Sequence, residues 1–311
     1  MSQNLKTIFI DGEAGTTGLG IRERLAMVPE VAVKSIDPDK RKDPTARKDM
    51  MASVDLVVLC LPDDAAKESV ALADELGSAA PKIVDAATAH RIAPGWVYGF
   101  AELEPGHAQK IAKANRVANP GCYPTGAIAL LRPLVDAGLI PHDYPITVNA
   151  VSGYSGGGKS MIEDFETGVA PAFELYGLGL RHKHLPELQA YARLTRRPIF
   201  VPSVGNYRQG MLVSVPLHLD TLPRRPSVAD LHHALVERYA GSTYLSVLSQ
   251  DGKNGKIEPE ALNDTNKLEL TVFGQDDLGQ AVLVARLDNL GKGASGAAVQ
   301  NIRLMLGLPE G

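Results

Sequence analysis

Thr7-Ile8-Phe9-Ile10-Asp11-Gly12-Glu13-Ala14-Gly15-Thr16-Thr17-Gly18 is the stretch whose reading decides the fold. A short apolar, β-prone run of four residues leads into a turn with three glycines, and Leu19 to Met27 then reads as helix. Strand, glycine-rich turn and helix in that order open a dinucleotide-binding βαβ unit. The glycines let the backbone approach a pyrophosphate, which rests on the N–H groups at the helix start. The spacing is G-x-x-G-x-x-G and not G-x-G-x-x-G, so the position directly after a strand weighs more than the pattern itself. A tight strand-to-helix turn without ligand is the plain alternative.

Working outward, Val31 to Ile36 reads as the second strand, whose end should face the ribose of such a cofactor. Asp37 there favours NAD, while Lys40-Arg41-Lys42 suits the 2′-phosphate of NADP or a solvated loop; the reading leans to NADP. Asp55 to Leu61 is a continuous apolar run, as expected of a parallel strand covered on both faces, and Cys60 inside it reads as core. Asp63 to Leu76 is a helix stopped by Gly77, and Lys82 to Asp85 the next strand. His90 and Arg91 follow at the end where open α/β sheets bind ligands, although surface residues are the default.

A fifth apolar run ends at Val117-Ala118 and gives way to Asn119-Pro120-Gly121-Cys122-Tyr123-Pro124-Thr125-Gly126. The helical stripe Ala127, Leu130, Leu131, Leu134 and Val135 follows, closed by Gly138. Cys122 is therefore expected at a helix N-terminus, at the sheet edge that also carries the glycine turn. Unpaired N–H groups and the helix dipole there favour a thiolate, the nucleophile of acyl-transfer and aldehyde chemistry. A buried structural cysteine is the competing reading. Five strands alternating with helices describe a doubly wound parallel sheet.

The texture changes after residue 144. Strand-like runs at 146–151, 198–204, 211–219, 244–248, 268–273 and 281–287 describe a largely antiparallel sheet, with a helix at 227–239 capped by Ser227. Residues 250–265 read as a mobile loop. Ser152-Gly153-Tyr154-Ser155-Gly156-Gly157-Gly158-Lys159-Ser160 formally matches the spacing of a phosphate-binding P-loop. Its place in a second domain points instead to a flexible, anion-binding loop. Arg181-His182-Lys183-His184-Leu185-Pro186-Glu187 is the densest ionisable cluster, followed by a helix. If the segment is extended, His182 and His184 point to opposite sides and one at most faces a site. Small residues at 289–296 lead into a last helix, 297–306.

With 311 residues, 44% hydrophobic and 22% charged, the chain is long enough for two globular domains. A net charge of −4 without a long basic block argues against nucleic acid as the main partner. No apolar run approaches the ~20 residues that span a bilayer, and no signal peptide is read at the N-terminus. Two cysteines offer neither a disulfide framework nor a zinc pattern, so no metal is expected and the compartment read is the cytoplasm.

The glycine turn, N-P-G-C-Y-P-T-G at 119–126, V-S-G-Y-S-G-G-G-K at 151–159, H-K-H-L-P-E at 182–187 and N-L-G-K-G-A-S-G-A-A-V-Q-N at 289–301 occur together in this order. The chain as a whole closely resembles the short bacterial form of the N-acetyl-γ-glutamyl-phosphate reductases. The resemblance implies a Rossmann-type domain at 1–121 and 288–311 and an α+β catalytic and dimerisation domain at 122–287. It implies an NADPH-dependent reduction of an acyl phosphate through a thioester on Cys122, in arginine biosynthesis. His184 is the implied acid/base, with His182 close behind and Glu187 in support. Gly12, Gly15, Thr16, Thr17, Gly18, Ser35, Arg41, Gly156, Gly157 and Asn289 are expected to hold NADP. Arg91, Asn119, Ser152, Tyr154 and Lys159 are expected to hold substrate, and the protein to be a homodimer or homotetramer. Ala87 stands where longer members have a serine, and Lys159 where arginine is common, which bears on substrate contact. The rival readings are a sister enzyme acting on aspartyl or N-acetyl-aminoadipyl phosphate, and a non-catalytic dinucleotide-binding regulator.

Overall fold

The computed structural model describes residues 5–249 and 255–310, so residues 250–254 of the expected mobile loop lie outside the described residues. The chain divides into two compact units, the first made of residues up to Ala101, Gly106–Pro120 and the segment from Ala294.

The first unit runs β1 (Lys6–Asp11), α1 (Thr16–Leu25), β2 (Val31–Lys34), α2 (Pro44–Ala52), β3 (Leu56–Leu59), α3 (Asp63–Asp74), β4 (Lys82–Asp85), β5 (Val97–Tyr98), α4 (His107–Lys113) and β6 (Arg116–Ala118). All pairings are parallel, in the order β2-β1-β3-β4-β6-β5. Side chains alternate across a strand, and the two faces have separate cores. Ile8, Ile10, Leu56 and Val58 pack with Ile21 and Leu25 of α1 on one face; Phe9, Val57 and Leu59 pack with Met51 of α2 and Val70 of α3 on the other. This is the doubly wound sheet expected from the sequence. It has six strands, because the two-residue β5 is too short to show an apolar run.

The second unit comprises Glu102–Pro105 and Gly121–Gly293. It contains α5 (Cys122–Asp136), β7 (Thr147–Gly153), α6 (Gly158–Glu166), β8 (Phe173–Leu175), α7 (Leu185–Tyr191), β9 (Ile199–Gly205), β10 (Met211–His218), α8 (Val228–Tyr239), β11 (Leu245–Leu248), β12 (Leu268–Gln275) and β13 (Gln280–Leu287). The sheet order is β11-β12-β13-β10-β7-β9-β8, antiparallel except at β7–β9 and β11–β12. Every residue of α5 from Tyr123 to Val135 is buried. A Cβ on Gly126 would lie 2.9 Å from Val213 and 3.2 Å from Ala285, so glycine lets this helix settle directly on β10 and β13. Ser227 and Asp230 form the capping box that starts α8.

The last helix, α9 (Gly296–Leu306), packs on α1 and α4 within the first unit. Residues 288–293, expected in the cofactor domain, fall in the second unit instead. Their polar side chains explain why. Asp288 accepts hydrogen bonds from Gln209 (2.7 Å) and the Asp264 amide (2.9 Å), and Lys292 pairs with Glu102 at 2.8 Å.

Candidate active site

In the first unit the glycine turn links β1 to α1. Gly12 has φ +92°, and a Cβ there would meet the Cys60 carbonyl oxygen at 2.3 Å; a Cβ on Gly18 would meet the Gly12 carbonyl oxygen at 2.6 Å. Gly15 caps α1. A cavity of about 190 Å³ opens beside the turn, lined by Gly12, Glu13, Ala14, Ile36, Arg41 and Lys42 among others. An apolar slot with a glycine turn, a helix N-terminus and two cations at its rim fits the adenosine end of a dinucleotide. Ser35 and Arg41 lie by this turn: Ser35 Oγ donates to Glu13 at 2.9 Å, and an Arg41 nitrogen is 3.9 Å from the same carboxylate. Asp37, the residue expected to favour NAD, instead accepts from the Asp39 amide and caps the short turn Pro38–Lys40.

At the C-terminal end of β4, Asp85 is wholly buried and its carboxylate meets His90 Nδ1 at 2.5 Å. Burial raises the Asp85 pKa, against the opposing pull of His90, the Ala87 amide and Arg91. His90 stacks on Trp96, with ring centroids 4.2 Å apart. Arg91 is buried and not on the surface, and its Nε donates to the Asn119 carbonyl at 3.0 Å. The Asn119 side chain is itself fixed, donating to Ala294 O and accepting from Asn301.

In the second unit Cys122 is half-buried, the first helical residue of α5, with Gly121 as the cap. The Gly121 N–H donates to Glu187 Oε2 at 3.0 Å, and Glu187 is buried. Glu187 thus fixes the backbone of the cysteine turn. On the other side, a Cβ at Gly293 would sit 2.9 Å from Cys122 Cβ.

The histidines depart from the alternation expected of an extended chain. Leu180 has φ +56° and the Leu185 amide donates to His182 O, so the segment turns and both rings come to one side, centroids 4.7 Å apart. Tyr123 packs against both, at 6.2 Å from His182 and 5.9 Å from His184. The His184 amide donates to His182 Nδ1 at 3.2 Å, which leaves the proton of a neutral His182 on Nε2. His184 is buried, whereas His182 is half-buried and lines an open groove of about 550 Å³ with Arg181, Lys183 and Arg197.

Tyr176, which the sequence reading missed, donates to the Tyr123 hydroxyl at 3.0 Å and packs on His182. Its phenol is pushed up to about 12 by burial, with the Cys122 sulfur adding to the rise. No sequence pattern marks it, because it reaches the cluster from the loop after β8.

The glycine-rich loop after β7 is not a flexible connector. The amides of Gly153, Tyr154 and Ser155 donate to carbonyls of Gly210, Tyr207 and Arg208, which removes three of the donors expected for an anion. A short 3₁₀ turn, Tyr154–Gly157, then feeds α6. Ser152 is buried, Tyr154 stacks on Phe165 at 5.0 Å, and Lys159, Gly156 and Gly157 are exposed. Asn289 bridges the Gly210 amide and Ser155 Oγ, so both ends of its side chain are held by this loop region. Among the described residues no cluster of three or more His, Cys, Asp or Glu could hold a metal ion, and no helix is long and apolar enough to cross a membrane.

Family models and relatives agree with this layout. Residues 13–111 match the semialdehyde dehydrogenase NAD binding domain, and residues 122–289 the semialdehyde dehydrogenase dimerisation domain. The chain is 52% identical to an N-acetyl-gamma-glutamyl-phosphate reductase of Chelativorans sp., over 96% of this chain and 97% of that one. It is 54% identical to one of Brucella ovis, over 96% and 98%. Among solved structures, aspartate semialdehyde dehydrogenase II of Vibrio cholerae shares the fold with a TM-score of 0.74 at 16% identity, over 98% of this chain and 99% of that one. Aspartate semialdehyde dehydrogenase of Candida albicans with NADP does so with a TM-score of 0.64, also at 16% identity, over 97% and 99%. By its sequence throughout and by the domains it matches, the chain belongs to the N-acetyl-γ-glutamyl-phosphate reductase family, within the semialdehyde dehydrogenases.

Proposed function

We propose that the protein reduces N-acetyl-γ-glutamyl phosphate to N-acetyl-glutamate semialdehyde and phosphate with NADPH, as a step of arginine biosynthesis. The observation that carries the chemistry is Cys122 at the head of a buried helix, in one unit with two histidines packed on the neighbouring Tyr123. The names of relatives at 52–54% identity carry the substrate.

Cys122 Sγ attacks the acyl carbon, and the carbon–oxygen bond to phosphate breaks to leave a thioester. The Gly12–Gly18 turn, Ser35 and Arg41 would hold NADPH, which would supply the hydride that reduces this thioester. The carbon–sulfur bond then breaks, releasing aldehyde and returning the thiolate. Between the histidines, the structure supports His182 over the buried His184 as the proton carrier. His182 has its Nε2 proton set by the His184 amide, and it borders an open groove. Glu187 holds Gly121 and so the direction in which the helix start presents Cys122. Arg91 acts by fixing the Asn119 carbonyl, and Ser152, Tyr154 and Lys159 contribute to the substrate pocket. The protein works as a homo-oligomer in the cytoplasm, consistent with the dimerisation-domain match.

Cys122→Ser tests the reading. Phosphate-dependent reduction of NADP by the semialdehyde should fall below detection while NADPH binding, followed by fluorescence, stays within about twofold. Residual turnover of a few per cent would refute the covalent route. His182→Asn should lower kcat by ~10²–10⁴ and His184→Asn by less; the reverse order would return the proton to His184.

A further inference from the structure

The glycine turn contains a feature that cofactor cradling does not require. Glu13, between Gly12 and Ala14, accepts hydrogen bonds from Arg22 Nη1 at 2.7 Å and Ser35 Oγ at 2.9 Å. Arg22 Nη1 also donates to Ser35 Oγ at 2.8 Å, and Arg41 Nη2 stands 3.9 Å from the other carboxylate oxygen. Three elements therefore converge on one carboxylate: the turn, the exposed side of α1 and the segment after β2. The Glu13 side chain is 18% exposed against 46% for each arginine, so the acid is at the centre and the cations at the rim. The cavity that fits the adenosine end is lined by Glu13, Arg41 and Lys42.

Two guanidinium groups and a hydroxyl around one oxyanion are the donor set that holds a phosphate monoester. Stability alone does not account for it, since part-exposed ion pairs contribute little. We infer that Glu13 is a specificity-determining residue for the cofactor: its carboxylate occupies the seat a ribose 2′-phosphate would take, and so holds down affinity for the phosphorylated dinucleotide. The inference rests on the cofactor reading above. A dianionic 2′-phosphate entering this seat meets the carboxylate as a like charge and has to displace it from Arg22 and Ser35. A 2′-hydroxyl meets no such repulsion and can donate to the carboxylate. The balance between the two cofactors is then set by one acid against two arginines, and removing the acid leaves the arginines to the phosphate.

The test is calorimetric titration of the full chain with adenosine 2′,5′-bisphosphate and with 5′-AMP, at low salt. Glu13→Gln keeps the shape and removes the charge. It should tighten the bisphosphate by about tenfold or more, the effect of one like charge at contact distance in a partly screened site. Binding of 5′-AMP should change by less than about twofold or weaken, and the gain on the bisphosphate should shrink at 0.5 M salt, roughly a 4 Å screening length. Arg22→Met, an independent change on α1, should weaken the bisphosphate about tenfold and spare 5′-AMP. An unchanged ratio of the two ligands in Glu13→Gln, with both still bound by the wild type, overturns this inference alone. Failure of the wild type to bind either nucleotide overturns the cofactor reading with it.

Discussion

Gly293→Ala is the sharpest probe of how the second unit presents Cys122. An alanine Cβ there would lie 2.9 Å from Cys122 Cβ, 3.4 Å from its Cα and 3.1 Å from the Asp288 carbonyl oxygen. Ordinary contact begins at 3.4 Å, so one partner has to move by about half an ångström. The Asp288 carbonyl cannot give easily, because it accepts the Gly293 amide at 2.9 Å in the five-residue π-type turn Gly291–Ser295. Nor can the start of α5, which Glu187 holds at Gly121. Overpacking of this kind costs ~1–3 kcal/mol, and in a domain of this size lowers Tm by ~2–10 °C. A 1 Å misplacement of a reacting group can cost ~10²-fold, so a half-ångström shift of the thiol should lower kcat by about tenfold. Iodoacetamide alkylation, followed by mass spectrometry for each cysteine, should slow at Cys122. Gly179→Ala, with nothing within 4 Å of the added carbon, is the steric control. Wild-type Tm, turnover and alkylation in Gly293→Ala would show that the cysteine turn is not confined as argued.

Two further outcomes follow from paired charge. Lys292 is 1% exposed, with both Glu102 oxygens at 2.8 Å; Lys292→Met, which takes the cation from a part-buried carboxylate, should cost about 3 kcal/mol in denaturant unfolding, and adding Glu102→Leu should recover most of it. Burial pushes the Asp136 carboxyl up, but hydrogen bonds from Arg238 and Arg132 outweigh it and hold the group below the usual carboxylate range. A depressed pKa in the folded state contributes stability above the unfolded value of about 4, and that contribution is lost as pH falls through the folded pKa. Thermal unfolding of Asp136→Asn should therefore show its full deficit at pH 7 and a shrinking one below about pH 4.

The parts of the fold legible in the sequence were those where one local signal suffices. Leu56, Val57, Val58 and Leu59 announce a strand covered on both faces, and the structure divides them between two cores. Ser227 announces a helix start, and the structure completes it with Asp230 as a capping box. Elements that exist only through their neighbours were not legible. β5 is two residues paired to β6, and β8 is three residues on the edge beside β9. The loop after β7 reads as flexible because glycine removes local preference, yet its amides are held by carbonyls some fifty residues away. The histidine pair was misjudged in geometry for the same reason: spacing gives a direction only once the backbone conformation is known, and the positive φ at Leu180 is not written in residue type. Glu13 was visible as a letter in a glycine turn, but not as an anion between Arg22 and Ser35.

The two cysteines show how environment separates chemistry from packing. Burial, and after it the carboxylates of Asp85 and Asp11, push the Cys60 thiol up to about 12, so at neutral pH it stays protonated just past the end of β3. A thiol that cannot ionise is neither a nucleophile nor a redox target. Cys122 has a different setting: it is first in a helix whose dipole favours an anion there, and next to Tyr123, on which two histidines pack. The Glu187 carboxylate works against that dipole, since it places negative charge at the Gly121 amide. Its presence makes sense if position outranks acidity. A thiolate aimed a half-ångström astray loses more than one formed a little less readily, and Glu187 with Gly293 confines the cysteine from two sides. Glu187→Gln separates the two effects: it keeps an acceptor for Gly121 and drops the charge. The pH at which Cys122 alkylation reaches half its maximum should fall, while kcat at pH 8 stays within about threefold. A large loss of kcat at pH 8 would mean that the charge itself, and not the hydrogen bond, serves the reaction.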